Sequence, residues 1–511
     1  MSEKKTKKES WSIRFLSSLE QKCNKMWDPI TIFFVLCGIV MILSWVLSAM
    51  NVTATHPGTG EALSPVNLLS MESLQNFFGN IPANYRNFPP MAMVLVIMLG
   101  AGVAEKSGLI ATFLNKTISK ASPNLVTFII VFAGINAVAV GDAGYIVLPP
   151  LAAAVYMGMG RNPLAGIFTA YASVTAGFAA SVFVQMGDVL VTGFTVSAAQ
   201  LIDPYFYASP AINWYFMIAS TFMLGIVGTW VNNKVIEPRL GTYKNTDNLQ
   251  AEEVVITAQE NRALRWAGIS LLIVGAIVVG LCIGPNAFFR DPATGSLITM
   301  NAPLMRGLVP LVMIIFLVPG LVYGILAKTI RSDRDVATMM GASLAELSGF
   351  LVLAFFASQF VAMFADSNMG AILSIAGAEG LQRLGVQGPV LILGLFIISA
   401  LINLFIGSAS AKWAIMAPIF VPMFMLLGFD PALTQIVYRI GDSVTNVLTP
   451  MFPYFPILVG FVRKYQKDAG YGTILANMIP FSLAFAAMWL VLLAIWVIFR
   501  IPLGPGGGIF L

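Results

Sequence analysis

The stretch Asn403-Leu-Phe-Ile-Gly407-Ser-Ala-Ser-Ala-Lys412-Trp413, running on through Pro418, Pro422 and Pro431 to Arg439-Ile-Gly-Asp442-Ser-Val-Thr-Asn-Val-Leu-Thr-Pro450, decides how this chain reads. Its surroundings are apolar enough for a lipid bilayer. Yet it carries a Lys, an Arg, two Asp, two Asn and several hydroxyls, with Gly and Pro clustered where a plain spanning helix avoids them. An ionisable side chain at a bilayer centre costs at least roughly 2.5–3.5 kcal/mol, and free backbone groups survive there only where protein or a wet cavity satisfies them. The stretch therefore reads as half of a substrate site.

The rest of the sequence supports a membrane setting. Of 511 residues, 58% are hydrophobic and 10% charged, with mean hydropathy +0.82. Apolar runs of about 20 residues recur, which defines an all-α polytopic membrane protein. Nine runs are expected to span, near 30–50, 89–105, 163–196, 212–232, 264–284, 305–327, 345–365, 431–463 and 475–499. Two further segments, near 124–157 and 389–424, are interrupted midway by Gly and polar residues, at 136–144 and 403–410. A re-entrant helical hairpin explains each better than a full span.

The basic residues orient the chain. With the N-terminus in the cytoplasm, 22 of the 29 Lys and Arg fall on the cytoplasmic side and five (Arg86, Arg290, Arg306, Arg383, Arg500) on the other, while Lys412 and Arg439 lie in the membrane. This agrees with the positive-inside rule and accounts for a pI near 9.0 without a nucleic-acid partner. The expected layout is a cytoplasmic basic tail at 1–29, a retained first helix at 30–50, an external segment at 51–88 and a first repeat at 89–232. A cytoplasmic loop at 233–263, a connecting helix pair at 264–327 and a second repeat at 345–499 follow. Cys23, Cys37 and Cys282 are scattered, His56 has no partner nearby, and there is no Walker motif, GxSxG or HExxH. The Gly-Pro-Gly-Gly-Gly run at 504–508 is expected to be a flexible end.

An internal repeat links the halves. Asn136…Gly141-Asp142-Ala-Gly…Pro149-Pro150…Asn162-Pro163-Leu-Ala is matched by Asn403…Gly407-Ser-Ala-Ser…Pro418…Pro422…Asp430-Pro431-Ala-Leu, with equal spacing from Pro150 to Pro163 and from Pro418 to Pro431. Asn or Asp followed by Pro opens the next helix, as cap and first-turn chemistry requires. Those helices are expected to break at Thr175-Ala-Gly177 and Ser443–Pro450. On this topology the repeats are inverted, and broken segments at matching positions point to a midplane transport site.

Arg439 and Asp442, three residues apart, share a helix face and are expected to pair, either as a structural clamp or with Arg439 offering its planar fork to a substrate carboxylate. Asp442 would then orient it or help hold a coupling cation. Trp413 suits packing or stacking on a substrate ring. Asp188 reads as an intramembrane functional carboxylate or a backbone-bonded cap, and Asp142 as a hairpin-tip or turn residue. Asn136 and Asn403, with neighbouring Gly carbonyls, carry hard oxygens that suit Na⁺, or are ordinary turn residues.

The stretch from Asn403 through Gly407-Ser-Ala-Ser-Ala-Lys-Trp413-Ala-Ile-Met-Ala-Pro resembles the p-aminobenzoyl-glutamate transporter (AbgT) family of the ion-transporter superfamily. So do Ala-Glu105-Lys-Ser-Gly-Leu, Gly160-Arg-Asn-Pro-Leu-Ala-Gly, Asn213-Trp-Tyr-Phe-Met, Ile236-Glu-Pro-Arg-Leu-Gly and Ser367-Asn-Met-Gly. The resemblance implies a homodimer with nine transmembrane helices and two hairpins per protomer, in the bacterial inner membrane. It implies secondary transport of p-aminobenzoyl-glutamate, a folate catabolite, with export of sulfonamide antimetabolites by some members. It places the family's functional residues at Asp188, Trp413, Pro431, Arg439 and Asp442, and its sodium-site residues at Asn403 and Gly407. Lys412 departs from the apolar residue the resemblance implies before the Trp. The resulting expectation is an importer of an aromatic dicarboxylate, coupled to Na⁺ or H⁺ and working by alternating access, with no other cofactor. The alternatives are a proton-coupled sulfonamide exporter and, remotely, an intramembrane enzyme built on Asp188 and Asp442.

Overall fold

The computed structural model describes residues 29–55, 62–119, 125–137, 143–243, 256–297, 299, 302–383, 388–449, 452, 454–467, 469 and 471–511. The basic tail before residue 29, His56, Asp142 with the first hairpin tip, and residues 244–255 of the loop 233–263 lie outside them. In chain order the helices are α1 (Pro29–Ala49), α2 (Met71–Arg86), α3 (Pro89–Lys106), α4 (Leu109–Ser119), α5 (Val126–Ala137), α6 (Ala143–Gly158) and α7 (Pro163–Thr175). Then come α8 (Met186–Ala199), α9 (Trp214–Val231, extended by a π turn), α10 (Glu237–Leu240), α11 (Ala258–Gly280), α12 (Pro303–Arg306), α13 (Leu308–Ala327) and α14 (Asp333–Glu346). The last are α15 (Ser348–Asp366), α16 (Met369–Arg383), α17 (Pro389–Asn403), α18 (Ala409–Leu426), α19 (Pro431–Asn446), α20 (Phe455–Tyr465) and α21 (Tyr471–Phe499). One antiparallel pair of two-residue strands, Ala54–Thr55 with Ala62–Leu63, is the only sheet among the described residues.

Eight helical stretches are long and apolar enough to cross a membrane. Seven match expected spans. The expected spans 163–196 and 431–463 are instead each cut in two, as α7 with α8 and α19 with α20, and no piece is long enough alone. The eighth, Ala409–Leu426, is a hairpin arm that is itself long enough to cross. Large apolar side chains such as Phe34 on α1, Leu272 on α11 and Ile498 on α21 stand exposed on the outside of the bundle. A surface this apolar belongs in lipid, and the chain is a multi-pass membrane protein.

The helix order α3 to α9 recurs as α15 to α21: a long helix, a shorter one, a helix–turn–helix pair, a broken helix and a final long helix. Local chemistry recurs with it. Asn162 accepts the Leu164 amide (3.0 Å) and Asp430 the Ala432 amide (2.7 Å), each just before the proline that opens α7 or α19. The second arm of each pair carries two prolines, Pro149 and Pro150 in α6, Pro418 and Pro422 in α18. Each removes an intrahelical hydrogen bond, which is tolerable where neighbouring helices supply partners.

The broken helices lie at the centre. Every residue of α7 is buried, and so is every residue of α19 except Thr445. Glycine permits the close approach: a Cβ added at Gly166 would come 2.6 Å from Ala152 O on α6, and one at Gly441 2.5 Å from Phe396 O on α17.

The C-terminal run at 504–508 is not a loose end. Leu503 and Ile509 are buried, the Phe216 amide donates to Leu503 O (3.1 Å), and the Asp430 amide donates to Ile509 O (3.1 Å). A Cβ at Gly504 would meet Ala211 O at 2.1 Å and one at Gly507 would meet Ile212 O at 2.2 Å. These glycines serve close backbone packing against the entry to α9, which composition alone could not distinguish from flexibility.

Candidate functional site

Helix α19 carries Gln435, Arg439, Asp442 and Asn446 at spacings of four, three and four, a polar stripe along one face. Helix α8 carries Asp188, Thr192 and Thr195 at four and three. Both stripes are buried, so each polar group needs a partner; the stripes meet at Asp188–Arg439 and Thr192–Gln435, and α17 and α18 supply partners to Asp442, Asn446 and Thr195.

Arg439 Nη1 forms an ion pair with Asp188 Oδ1, and both side chains are 1% exposed. Asp188 Oδ2 also accepts the Gln185 amide (2.7 Å), closing a capping box at the start of α8. Asp188 is therefore the backbone-bonded cap expected on one reading of the sequence, and it is also the ion-pair partner of Arg439, which the sequence did not indicate. Arg439 Nη1 lies 3.4 Å from Met217 Sδ, while Nε and Nη2 have no hydrogen-bond partner among the described residues. A buried guanidinium with two unsatisfied donors is costly, because each carries a desolvation penalty of about 1–3 kcal/mol or more. A planar guanidinium edge of this kind has the donor geometry that matches a carboxylate.

Asp442 does not pair with Arg439. Its Oδ1 meets the Lys412 ammonium, which also contacts Asn403 Oδ1. Residues three apart on a helix share a face, but here each charge turns to a neighbouring helix, where its partner already lies in the protein interior. Asn403 Nδ2 directs its two N–H groups into a cluster of three acceptors, Asp442 O (2.6 Å), Thr445 Oγ1 (2.8 Å) and Asn446 Oδ1 (2.8 Å). Asn446 Nδ2 reaches Thr175 O (3.3 Å), one of the carbonyls freed where α7 ends. The two helix breaks are thus joined.

Trp413 is fully buried. Its indole N–H donates to Thr195 Oγ1 (2.9 Å), and its ring stacks on Tyr438 with centroids 4.3 Å apart. Tyr438 donates to Ala409 O (2.5 Å), tying α19 to the start of α18. Gln435 Nε2 donates to Asn213 Oδ1 (2.7 Å) and Thr192 Oγ1 (3.2 Å). Pro431 is the buried first residue of α19.

The four expected Na⁺ ligands do not come together as a set. Asn136 Oδ1 accepts the Val182 amide (2.9 Å) and its Nδ2 donates to Phe132 O (2.8 Å), so it braces the segment between α7 and α8. Asn403 Oδ1 and Asp442 Oδ1 face an ammonium, and Gly407 lies half-buried in the turn before α18. As arranged, these residues do not fit a metal ion. A cavity of about 410 Å³ lined by Met41, Leu68, Glu72, Phe77, Met363 and Asp366 contains none of the site residues.

Sequence reasoning missed Tyr438, Gln435, Thr192, Thr195, Asn213 and Asn446. The spacing of polar residues along 188–195 and 435–446 was the available signal.

A polytopic helical bundle with paired broken helices and a buried, charged, partly unsatisfied centre defines a membrane transporter. The comparisons specify which: residues 14–511 match the model of the "AbgT putative transporter family", and the chain belongs to that family. It is 37% identical over 489 residues to the p-aminobenzoyl-glutamate transport protein of Escherichia coli (strain K12), covering 96% of this chain and 95% of the relative. Among solved structures, the Alcanivorax borkumensis YdaH transporter, described as having an unusual topology, matches with a TM-score of 0.89 and 41% identity. That match covers 93% of this chain and 100% of the other. Neisseria gonorrhoeae MtrF, described as illuminating a class of antimetabolite efflux pumps, matches with a TM-score of 0.91 and 38% identity, over 97% of this chain and 100% of the other.

Proposed function

We infer that this chain is a cation-coupled secondary transporter, with no catalytic activity, that imports p-aminobenzoyl-glutamate across the bacterial inner membrane by alternating access. The observation that carries the reading is the Arg439 fork, buried and held by Asp188 through Nη1, with Nε and Nη2 unsatisfied. A glutamate head brings the carboxylates such a fork binds, and the Trp413–Tyr438 stack lies on the adjoining helix surfaces for an aminobenzoyl ring. The E. coli relative's name supports the same substrate. Because Asp188, Lys412, Trp413, Arg439 and Asp442 are each no more than 2% exposed, ligand entry requires the helices around α19 to move, as alternating access does. Counterflow of the conjugate in proteoliposomes holding the purified chain tests this. Exchange above the protein-free level is expected, and none with any imposed gradient contradicts it.

A second reading, proton-coupled export of sulfonamide-type antimetabolites, is supported by the likeness to MtrF and predicts counterflow with a sulfonamide in place of the conjugate. In either case the protein works as a homodimer with inverted repeats and two re-entrant hairpins, its N-terminus and the 233–263 loop in the cytoplasm. A single cysteine replacing Asn245 should resist membrane-impermeant thiol reagents in intact cells; ready labelling would reverse the orientation.

A further inference from the structure

The geometry points to Lys412 as a tethered counter-cation: its ammonium takes the position an alkali-metal ion would fill between Asn403 Oδ1 and Asp442 Oδ1, making transport by this chain independent of Na⁺. This deepens the transport reading above and rests on it.

One anionic and one amide oxygen, from different helices, converge on a single buried point. Hard oxygens of this kind are the donors an alkali cation uses. Here a side chain of the same polypeptide fills the point. The orientation of Asn403 is fixed, because its NH₂ group already serves Asp442 O, Thr445 Oγ1 and Asn446 Oδ1, which leaves only the oxygen to face Lys412. The three N–H donors of the ammonium are met by Asp442 Oδ1 and by a second, neutral oxygen presented from the end of α17, a mixed oxygen set that an alkali cation would also accept.

Charge balance decides against a second cation. Helix α19 contributes Tyr438, Arg439 and Asp442, α8 contributes Asp188, already paired with Arg439, and α17 contributes only the Asn403 amide. On the other elements packed against α18, Glu379 and Arg383 of α16 pair with each other in solvent, and Asp366 ends α15 beside the separate cavity. A Na⁺ entering beside Lys412 would meet a like charge with no spare carboxylate, in surroundings where that repulsion is poorly screened.

The test uses the full chain, purified, with thermal unfolding followed in NaCl, LiCl, methylammonium chloride and choline chloride at equal ionic strength, and uptake measured in proteoliposomes. The wild type should unfold at the same temperature in all four salts and take up substrate equally with or without a Na⁺ gradient. Lys412→Ala vacates the position. It should gain stabilisation by Na⁺ or methylammonium over choline, and an uptake rate about tenfold higher with the small cation, the ratio that about 1.4 kcal/mol of binding produces. Lys412→Met/Asp442→Asn, lacking both charges, should show no cation response. Na⁺-specific stabilisation or Na⁺-driven uptake in the wild type overturns the proposal, and that arm decides even if Lys412→Ala does not fold. A folded Lys412→Ala indifferent to every cation also overturns it, since Lys412 would then be only a structural partner. Failure of the wild type to move the conjugate under any gradient refutes the substrate reading instead and leaves the thermal arm to judge Lys412.

Discussion

Around the first helix break, between α7 and α8, the bracing residue Asn136 holds the Val182 amide. Around the second, beyond α19, its counterpart Asn403 holds Asp442 O, Thr445, Asn446 and the Lys412 ammonium. The two breaks share their helix order, their Asn or Asp caps and their paired prolines. They differ in charge: among the described residues Lys412, Arg439 and Asp442 belong to the second half, and the first contributes Asp188. A duplicated scaffold thus supplies two places where backbone is freed inside the protein, and only one was built into an ionic centre. The first half's carboxylate serves to hold the second half's arginine.

The largest expected effect tests that asymmetry. Asp442→Leu leaves the Lys412 ammonium buried without its anion and should destabilise the purified protein by about 3–5 kcal/mol, whereas Lys412→Met/Asp442→Leu should recover most of that loss. Denaturation midpoints in detergent measure both, and equal losses in single and double variants would mean that Asp442 is held by something other than Lys412. In the first half, Asn136→Ala removes only a neutral brace, leaving the Val182 amide unpaired at about 1–3 kcal/mol. A loss as large as that of Asp442→Leu would erase the contrast between the halves.

Much of this contrast was legible in the sequence, because the cost of burying charge and proline in an apolar run is a local property. The caps, the prolines and both break points follow from residue type and spacing. The partners do not. Arg439 and Asp442 are close in sequence, and a helix permits them to meet, but Asp188 and Lys412 are closer in space, and proximity between α8, α18 and α19 is set by packing. The Gly504–Gly508 run shows the same limit, since glycine serves both flexible ends and close backbone contact.

A smaller effect sharpens the account of the aromatic pair. Trp413→Phe keeps a ring against Tyr438 and loses one hydrogen bond to Thr195, whose hydroxyl still donates to Val191 O (3.0 Å). The expected cost is about 0.5–1.5 kcal/mol. Trp413→Ala, which loses the ring, should weaken binding of aryl-bearing ligands more than of free glutamate, as competition binding would read; equal weakening would assign Trp413 to packing alone.

The central claim is that the unsatisfied edge of the Arg439 guanidinium receives a substrate carboxylate. Calorimetric binding of p-aminobenzoyl-glutamate to purified Arg439→Lys tests it most directly, because lysine keeps the charge opposite Asp188 but cannot present a planar fork. With the unfolding temperature little changed, affinity should fall at least about tenfold, the loss expected from a charge-assisted hydrogen bond of about 1.5–3 kcal/mol. Wild-type affinity in a folded Arg439→Lys protein would contradict the account.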